Sequence, residues 1–291
     1  MCWVFEPITT NTTLYVPLPP INTSILRAKK SFGQHFLINQ PLSKKIANSL
    51  RMESDIKNVL EIGPGKGVLT KYLLEQDINL RVCEADKDMV TYLEDNYPKL
   101  HGNIIFLDFL KLDMSKVFDG DPFYMIGNYP YNISSQILFK MVKHRALIPE
   151  MVGMFQKEVS DRVIAPPGSR TYGVVSVLIQ AFYKGENVVR VSPGSFNPPP
   201  KVNSSVIRLT RKENYELGCD YSFFRTVVKT AFGQRRKMMR NTLKGLVKDE
   251  SLLKDDYFKR RPEQLGVEEF VDLTLRIQNA QEEYKSDETS D

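Results

Sequence analysis

"VLEIGPGKGVLTKYLLE" (residues 59–75) is an apolar run that stops at Ile62, three glycines at positions 63, 65 and 67, and then apolar residues at helical spacing. Read together these predict a buried strand, a tight turn and a helix. Glycines belong where a turn is tight and where a ligand approaches the backbone closely. A helix opening behind such a turn directs N–H groups at whatever occupies it. The spacing is G-x-G-x-G with Pro64 inside, which departs from the G-x-G-x-x-G of dinucleotide sites.

The same grammar repeats outward. Apolar runs at 58–63, 80–86, 104–109, 123–128 and 151–156 predict buried strands, and 68–76, 88–97 and 134–144 have helical spacing between them. This alternation implies an α/β domain with a mostly parallel sheet. "GENVVRVS" (185–192) and "SSVIRLTRK" (204–212) would complete it as an antiparallel pair, joined through "PGSFNPPPKV" (193–202). The expected sheet is Rossmann-like and seven-stranded, with an antiparallel last strand. After residue 212 the pattern turns helical, in 221–233, 236–247 and 261–280. The expected division is a flexible N-terminal extension (1–24), an α/β domain (25–212), a small all-α domain (213–280) and an acidic flexible tail (281–291).

Composition narrows the class. Of 291 residues 42% are hydrophobic and 26% charged, which suits a soluble globular protein. No uncharged apolar run reaches the roughly 18 residues needed to cross a bilayer, so no membrane partner is expected. The first 26 residues lack a basic leader and are broken by prolines and threonines, a poor signal peptide. Cys2, Cys83 and Cys219 fit neither a disulfide framework nor a zinc set, which points to a reducing cytosol. His101 and His144 have no partners at metal spacing, so no metal is assigned. The net charge of +5 matters less than its placement: residues 229–248 carry Lys229, Arg235, Arg236, Lys237, Arg240, Lys244 and Lys248 without one acid. Such a run is either a solvated face or a surface for a polyanion.

Two acids share the crevice implied by the glycine turn. Glu84 closes the second strand about 20 residues further on, where a carboxylate accepts from both hydroxyls of a ribose. Asp108 closes the third, within reach of an adenine amino group. Each alone reads as an ordinary loop acid. Together with the glycines they converge at the carboxyl ends of consecutive strands, where open α/β sheets bind ligands. A nucleoside cofactor follows, and without a pyrophosphate-type loop S-adenosylmethionine fits better than NAD.

"GNYPYNISS" (127–135) then brings Asn128, Tyr129, Pro130 and Tyr131 to the same crevice. In isolation this is only a turn. Beside a methyl donor it has chemistry. The N6 amine of adenine is a poor nucleophile because its lone pair is delocalised into the ring. Hydrogen bonds from its two hydrogens to the Asn128 side-chain oxygen and the carbonyl of Pro130 or Tyr129 would localise that pair. Tyr131 would stack on a base taken out of its helix, worth roughly 1–3 kcal/mol. Alignment supplies about 7–11 kcal/mol, and no general base is needed.

Six stretches carry a resemblance: "KKSFGQHFL" (29–37), "EIGPGKGVLT" (61–70), "GNYPYNISS", "MFQKEVSDRV" (154–163), "SFNPPPKVNSSVIRL" (195–209) and "AFGQRRKMMRNTL" (231–243). In this order, across residues 28–275, the chain resembles the KsgA-type ribosomal RNA adenine dimethyltransferases. The resemblance implies a class I methyltransferase fold with a helical RNA-binding domain. It also implies methylation by S-adenosylmethionine of N6 on two adjacent adenosines near the 3′ end of 16S ribosomal RNA. The implied partner is the immature small ribosomal subunit, and the implied form a cytoplasmic monomer with a role in subunit biogenesis. It places His35, Leu37, Gly63, Gly65, Glu84, Asp108 and Asn128 on the cofactor, and Asn128, Pro130, Tyr131 and Phe196 at the target base. Arg235, Arg236, Lys237 and Arg240 would meet RNA. Two positions depart from the family pattern: Tyr129 stands where Leu or Ile is usual, and His35 where some members have Asn. The competing expectations are a 23S ribosomal RNA methyltransferase, and an assembly factor acting mainly by binding. A DNA adenine methyltransferase would need a separate base-reading segment.

Overall fold

In a computed structural model of the chain, which describes residues 29, 33–247 and 250–288, the first element is a two-residue strand, β1 (Phe36–Leu37). The expected N-terminal extension, 1–24, and the last three residues of the expected acidic tail, 289–291, lie outside the described residues. Helix α1 (Gln40–Ala47) follows, started by a proline and capped by Asn39, whose side chain accepts the Leu42 N–H.

The alternation read from the sequence then unfolds element by element. It runs β2 (Asn58–Ile62), α2 (Thr70–Leu73), β3 (Asn79–Glu84), α3 (Lys87–Asn96), β4 (Ile104–Phe106), β5 (Tyr124–Asn128), α4 (Ser134–Lys143) and β6 (Glu150–Gln156). Two helices, α5 (Lys157–Val163) and α6 (Val174–Gln180), lead to β7 (Tyr183–Val191), β8 (Phe196–Asn197) and β9 (Ser204–Arg211). The seven long runs form one sheet in the order β4-β3-β2-β5-β6-β9-β7. β9 alone runs against its neighbours, pairing antiparallel with both β6 and β7. The expected sheet, mostly parallel with an antiparallel last strand, is the one found.

Alternate side chains feed two apolar layers. Val59, Val82, Tyr124 and Ile126 point to the layer closed by Ile46, Leu73 and Leu93. Leu60, Ile62 and Met125 point to the layer of Ile137, Met141, Leu178 and Phe224. Both faces of the central strands are therefore covered, which is why they read as continuous apolar runs. Strand order reverses between β2 and β5, and the crevice outside their carboxyl ends is where such sheets take ligands.

Three local expectations are corrected. The helix expected over 68–76 is helical only at Thr70–Leu73. Beyond it the Gln76 side chain bonds the Ala47 carbonyl and Asn48 instead. The proline-rich link is not a plain connection, since β8 within it pairs antiparallel with β1, Leu37 opposite Phe196. The basic stretch 236–247 is not one helix. α7 (Tyr221–Gly233) ends first, and α8 (Met239–Thr242) is short. Between them the Arg235 guanidinium reaches the carbonyls of Ser169, Arg170 and Tyr172, which draws the chain off a helical path. Met239 is buried while Met238 is exposed.

The C-terminal region is helical. α7 buries Phe224, Val227, Val228 and Ala231 at helical spacing. α9 (Asp256–Lys259) and the long α10 (Val267–Glu288) complete it, and α10 runs through residues 281–288, where the tail was expected. Among the described residues no helix is long and apolar enough to cross a membrane.

Candidate active site

A cavity of about 310 Å³ opens at the crevice. Its walls are the strap Gly33–Leu37, the glycine turn, the end of β3, the segment Leu107–Leu110, and Asn128–Ile133 after β5. The lining includes His35, Leu37, Gly63, Gly65, Glu84, Asp108, Asn128, Pro130 and Tyr131. Nine positions scattered over a hundred residues of sequence thus meet in one space.

The glycine turn is shaped by its backbone. Gly63, Gly65 and Gly67 all have positive φ. At Gly67 a side chain is also barred by contact, since a Cβ would stand 2.5 Å from the Tyr97 ring. The Gly65 N–H donates to Glu84 Oε2 at 3.1 Å, while Ala85 and Asp86 N–H donate to Oε1 at 2.8 and 2.9 Å. Burial pushes the Glu84 carboxyl above its ordinary range, and these three donors partly offset it. The carboxylate is therefore fixed in place with acceptor capacity remaining at the cavity wall. Asp108 is exposed and caps the turn after it, accepting the Leu110 N–H at 2.9 Å.

One lining residue escaped the sequence reading. Glu61 lies in β2, is 1% exposed, and accepts the Thr70 hydroxyl at 2.6 Å. Burial pushes its carboxyl up to about 8, so it holds a proton at neutral pH. The signal was present: an acid inside the otherwise apolar "VLEIG". Cys83, opposite Ile62 on β3, is pushed up to about 12 by burial and stays a thiol.

The strap is tied down at both ends of the cavity. Asp86, itself buried, accepts from Lys29 Nζ at 2.6 Å and Gln34 Nε2 at 3.0 Å. His35 Nδ1 lies 2.9 Å from the Pro198 carbonyl, and its ring stacks on Tyr131 with centroids 5.5 Å apart. Most informative is the Asn128 amide, whose Nδ2 donates to the His35 carbonyl at 3.1 Å. A carbonyl can only accept, so this bond fixes which end of the amide is nitrogen and leaves Oδ1 as the free acceptor. Tyr131 is held by its hydroxyl on Ser204 Oγ at 2.5 Å. The Pro130 carbonyl already takes the Ile133 N–H and the Ser134 hydroxyl, each at 3.3 Å. The acceptor capacity of that carbonyl is thereby engaged within the chain.

Phe196, expected at the target base, does not line the cavity, and Arg235, expected at RNA, is engaged within the chain. Phe196 is 3% exposed and packs with Leu37 in the core beneath the strap. Arg235 spends its donors on three backbone carbonyls and lies 3.9 Å from Glu263. Arg236, Lys237 and Arg240 are exposed, as a surface for an anion requires.

A nucleoside-sized pocket next to an oriented amide and a stacking ring is the arrangement that base methylation needs. A family model described as ribosomal RNA adenine dimethylase matches residues 25–277. The chain belongs to the ribosomal RNA adenine dimethylase family. This dimethylase is 53% identical over 253 residues to ribosomal RNA small subunit methyltransferase A of Flavobacterium johnsoniae, covering 87% of this chain and 97% of that protein. It is 49% identical over 257 residues to the protein of the same name from Phocaeicola vulgatus, covering 88% and 91%. Among solved structures it resembles a dimethyladenosine transferase from Plasmodium falciparum, with a TM-score of 0.71 at 26% identity, covering 84% of this chain and 98% of that one. The 23S rRNA methyltransferase ErmE shares the fold, with a TM-score of 0.60 at 24% identity over 84% of this chain and 99% of that one.

Proposed function

We propose that this dimethylase transfers methyl groups from S-adenosylmethionine to N6 of two adjacent adenosines in the 3′-terminal hairpin of 16S ribosomal RNA. It acts as a cytoplasmic monomer on the immature small subunit and contributes to subunit biogenesis. Residues 25–212 form the catalytic domain and 213–280 the RNA-binding one. The observation that carries the reading is the Asn128 amide, whose polarity is pinned by the His35 carbonyl. The relatives at about 50% identity carry small-subunit names, whereas the 23S enzyme is similar at 24%.

The cavity suits the cofactor. Its volume of about 310 Å³ lies in the range of ligand pockets, about 300–1,000 Å³. The anchored Glu84 carboxylate meets a ribose diol, and Asp108 meets the adenine edge. His35, Leu37, Gly63 and Gly65 enclose the remainder. The bound cofactor supplies a methyl group on a positively charged sulfur.

The chain's own residues prepare the acceptor. Asn128 Oδ1 and the Tyr129 carbonyl accept the two N6 hydrogens, which pulls the nitrogen lone pair out of conjugation. The Tyr131 ring stacks on the extruded base, in place of the His35 ring that covers it in this structure. The proton leaves N6 to solvent, since the product amine is a very weak base. Phe196 supports the strap from below through Leu37. Arg236, Lys237 and Arg240 contact phosphates, while Arg235 fixes the segment that presents them.

The test is methylation of unmodified small subunits with labelled S-adenosylmethionine, the labelled bases mapped by primer extension. Two adjacent dimethylated adenosines near the 3′ end are expected. Asn128→Ala should lower kcat by about 10²–10³, the scale for losing one preorganised polar contact at a reacting centre. Label in large-subunit RNA, or an Asn128→Ala enzyme as fast as wild type, overturns the proposal.

A further inference from the structure

The geometry points to a second contact surface for the substrate: a groove of about 750 Å³ beside the cavity, shaped to hold an unpaired stretch of RNA flanking the target adenosines. This rests on the reading of the chain as a small-subunit RNA methyltransferase and deepens it. The groove lies between α4, the turn after Asp108 and the start of α7.

Its lining has the make-up that single-stranded nucleic acid requires, cations for the backbone and rings for the bases. Lys143 and Arg225 are exposed on its walls, and neither makes an ion pair or hydrogen bond among the described residues. Elsewhere Arg51, Arg208, Arg260 and Arg276 all face carboxylates. The half-buried rings of Phe139 and Tyr221 line the same groove as the two cations. The one acid in the lining, Asp113, is occupied by the Ser115 N–H and hydroxyl, with Lys116 Nζ 3.7 Å away.

The groove is joined to the active site by construction. Lys140 donates to the carbonyls of Phe109, Leu110 and Leu112 at 2.7, 3.0 and 2.6 Å. This pins the turn that separates the two spaces, and Leu110 lines both. A strand delivering a base to Tyr131 thus has a path past Leu110 to Lys143 and Arg225. These contacts are sequence-independent and lie apart from the basic segment at Arg236–Arg240.

The test is Lys143→Glu/Arg225→Glu, both exposed positions, with a thermal melt and S-adenosylmethionine binding to show an intact fold. Affinities for unmethylated small subunits and for a protein-free transcript of the target hairpin with its flanks are measured across a salt series. Loss of two phosphate contacts should weaken both at least about tenfold and lower the salt slope by about one to two. The KM for RNA should rise, with cofactor affinity within about twofold of wild type. Unchanged RNA affinity and slope overturn the groove assignment while wild-type methylation leaves the function standing. Weakened subunit binding with unchanged transcript binding gives the groove to a protein of the subunit and also overturns it. Wild type that methylates neither RNA sinks the function, and the groove's role with it.

Discussion

Replacing Gly153 by alanine asks whether the site depends on one clamped ring. Tyr129, between the amide of Asn128 and Pro130, is 1% exposed and lies 5.0 Å from the Phe155 ring. A Cβ on Gly153 would stand 2.2 Å from Tyr129 Cε2 and 2.7 Å from Phe155 Cε2, where carbon atoms need about 3.5–4.0 Å. The far edge is equally close: a Cβ on Gly127 would meet Tyr129 Cε1 at 2.6 Å. The ring therefore has little room to retreat. Overpacking costs about 1–3 kcal/mol, and two buried aromatic rings are struck here, so about 3 kcal/mol is expected. At about 2–4 °C per kcal/mol for a chain of this class, Tm falls by about 6–12 °C. Displacing the Tyr129 backbone by even an ångström misplaces the acceptors, so kcat should fall about 10²-fold. Leucine at 129 removes the nearer of the two struck rings, so Tyr129→Leu/Gly153→Ala should be more stable than the sum of its single changes by about 1–3 kcal/mol. Urea denaturation of the four proteins measures this. A Gly153→Ala protein within about 0.5 kcal/mol of wild type, or additive changes, would refute the clamp.

Two further perturbations probe the carboxyl groups. The Glu61 carboxyl titrates near 4.5 when unfolded and at about 8 in the fold. Between those values the fold keeps a proton that the unfolded chain has released, so stability falls as pH rises from about 5 to 8, by a few kcal/mol in all. Glu61→Gln should flatten that slope in urea midpoints measured across this range, and parallel slopes would contradict it. Asp86→Ala removes the acceptor for Lys29 and Gln34 and the cap that accepts the Asp88 N–H. Stability should drop by about 1–2 kcal/mol from the lost cap, and the KM for S-adenosylmethionine should rise about tenfold. An unaltered KM would show that the strap does not need this anchor. Burial pushes Asp86 up, but the bonds from Lys29 and Gln34 hold its carboxyl below the ordinary value, so this contribution is present at neutral pH and lost only in acid.

What the sequence disclosed and what it withheld divide along a physical line. Strands β2, β3, β5 and β6 were legible because burial on both faces forces unbroken apolar runs. The cavity was legible because glycines and acids at strand ends are expensive to keep there without a ligand. β1 and β8 were not, since two-residue strands carry no periodicity and their pairing spans more than 150 residues. The same distance concealed Phe196, whose ring reads as a free aromatic until Leu37 is found opposite it. Arg235 belonged to a basic run by composition, yet the carbonyls it satisfies lie over 60 residues upstream. Glu61 was hidden by its company: a single acid in an apolar strand resembles an edge residue until burial is known.

The strap resolves why Asn128 can be trusted as an acceptor. An isolated asparagine presents oxygen or nitrogen at equal ease, and an amide turned the wrong way would offer a donor to an amine that also donates. The His35 carbonyl removes that ambiguity, and it belongs to the segment that walls the cavity. His35 in turn is held from both sides, by the Pro198 carbonyl and by β1 pairing with β8. The segment that walls the cavity is therefore also the one that orients the amide.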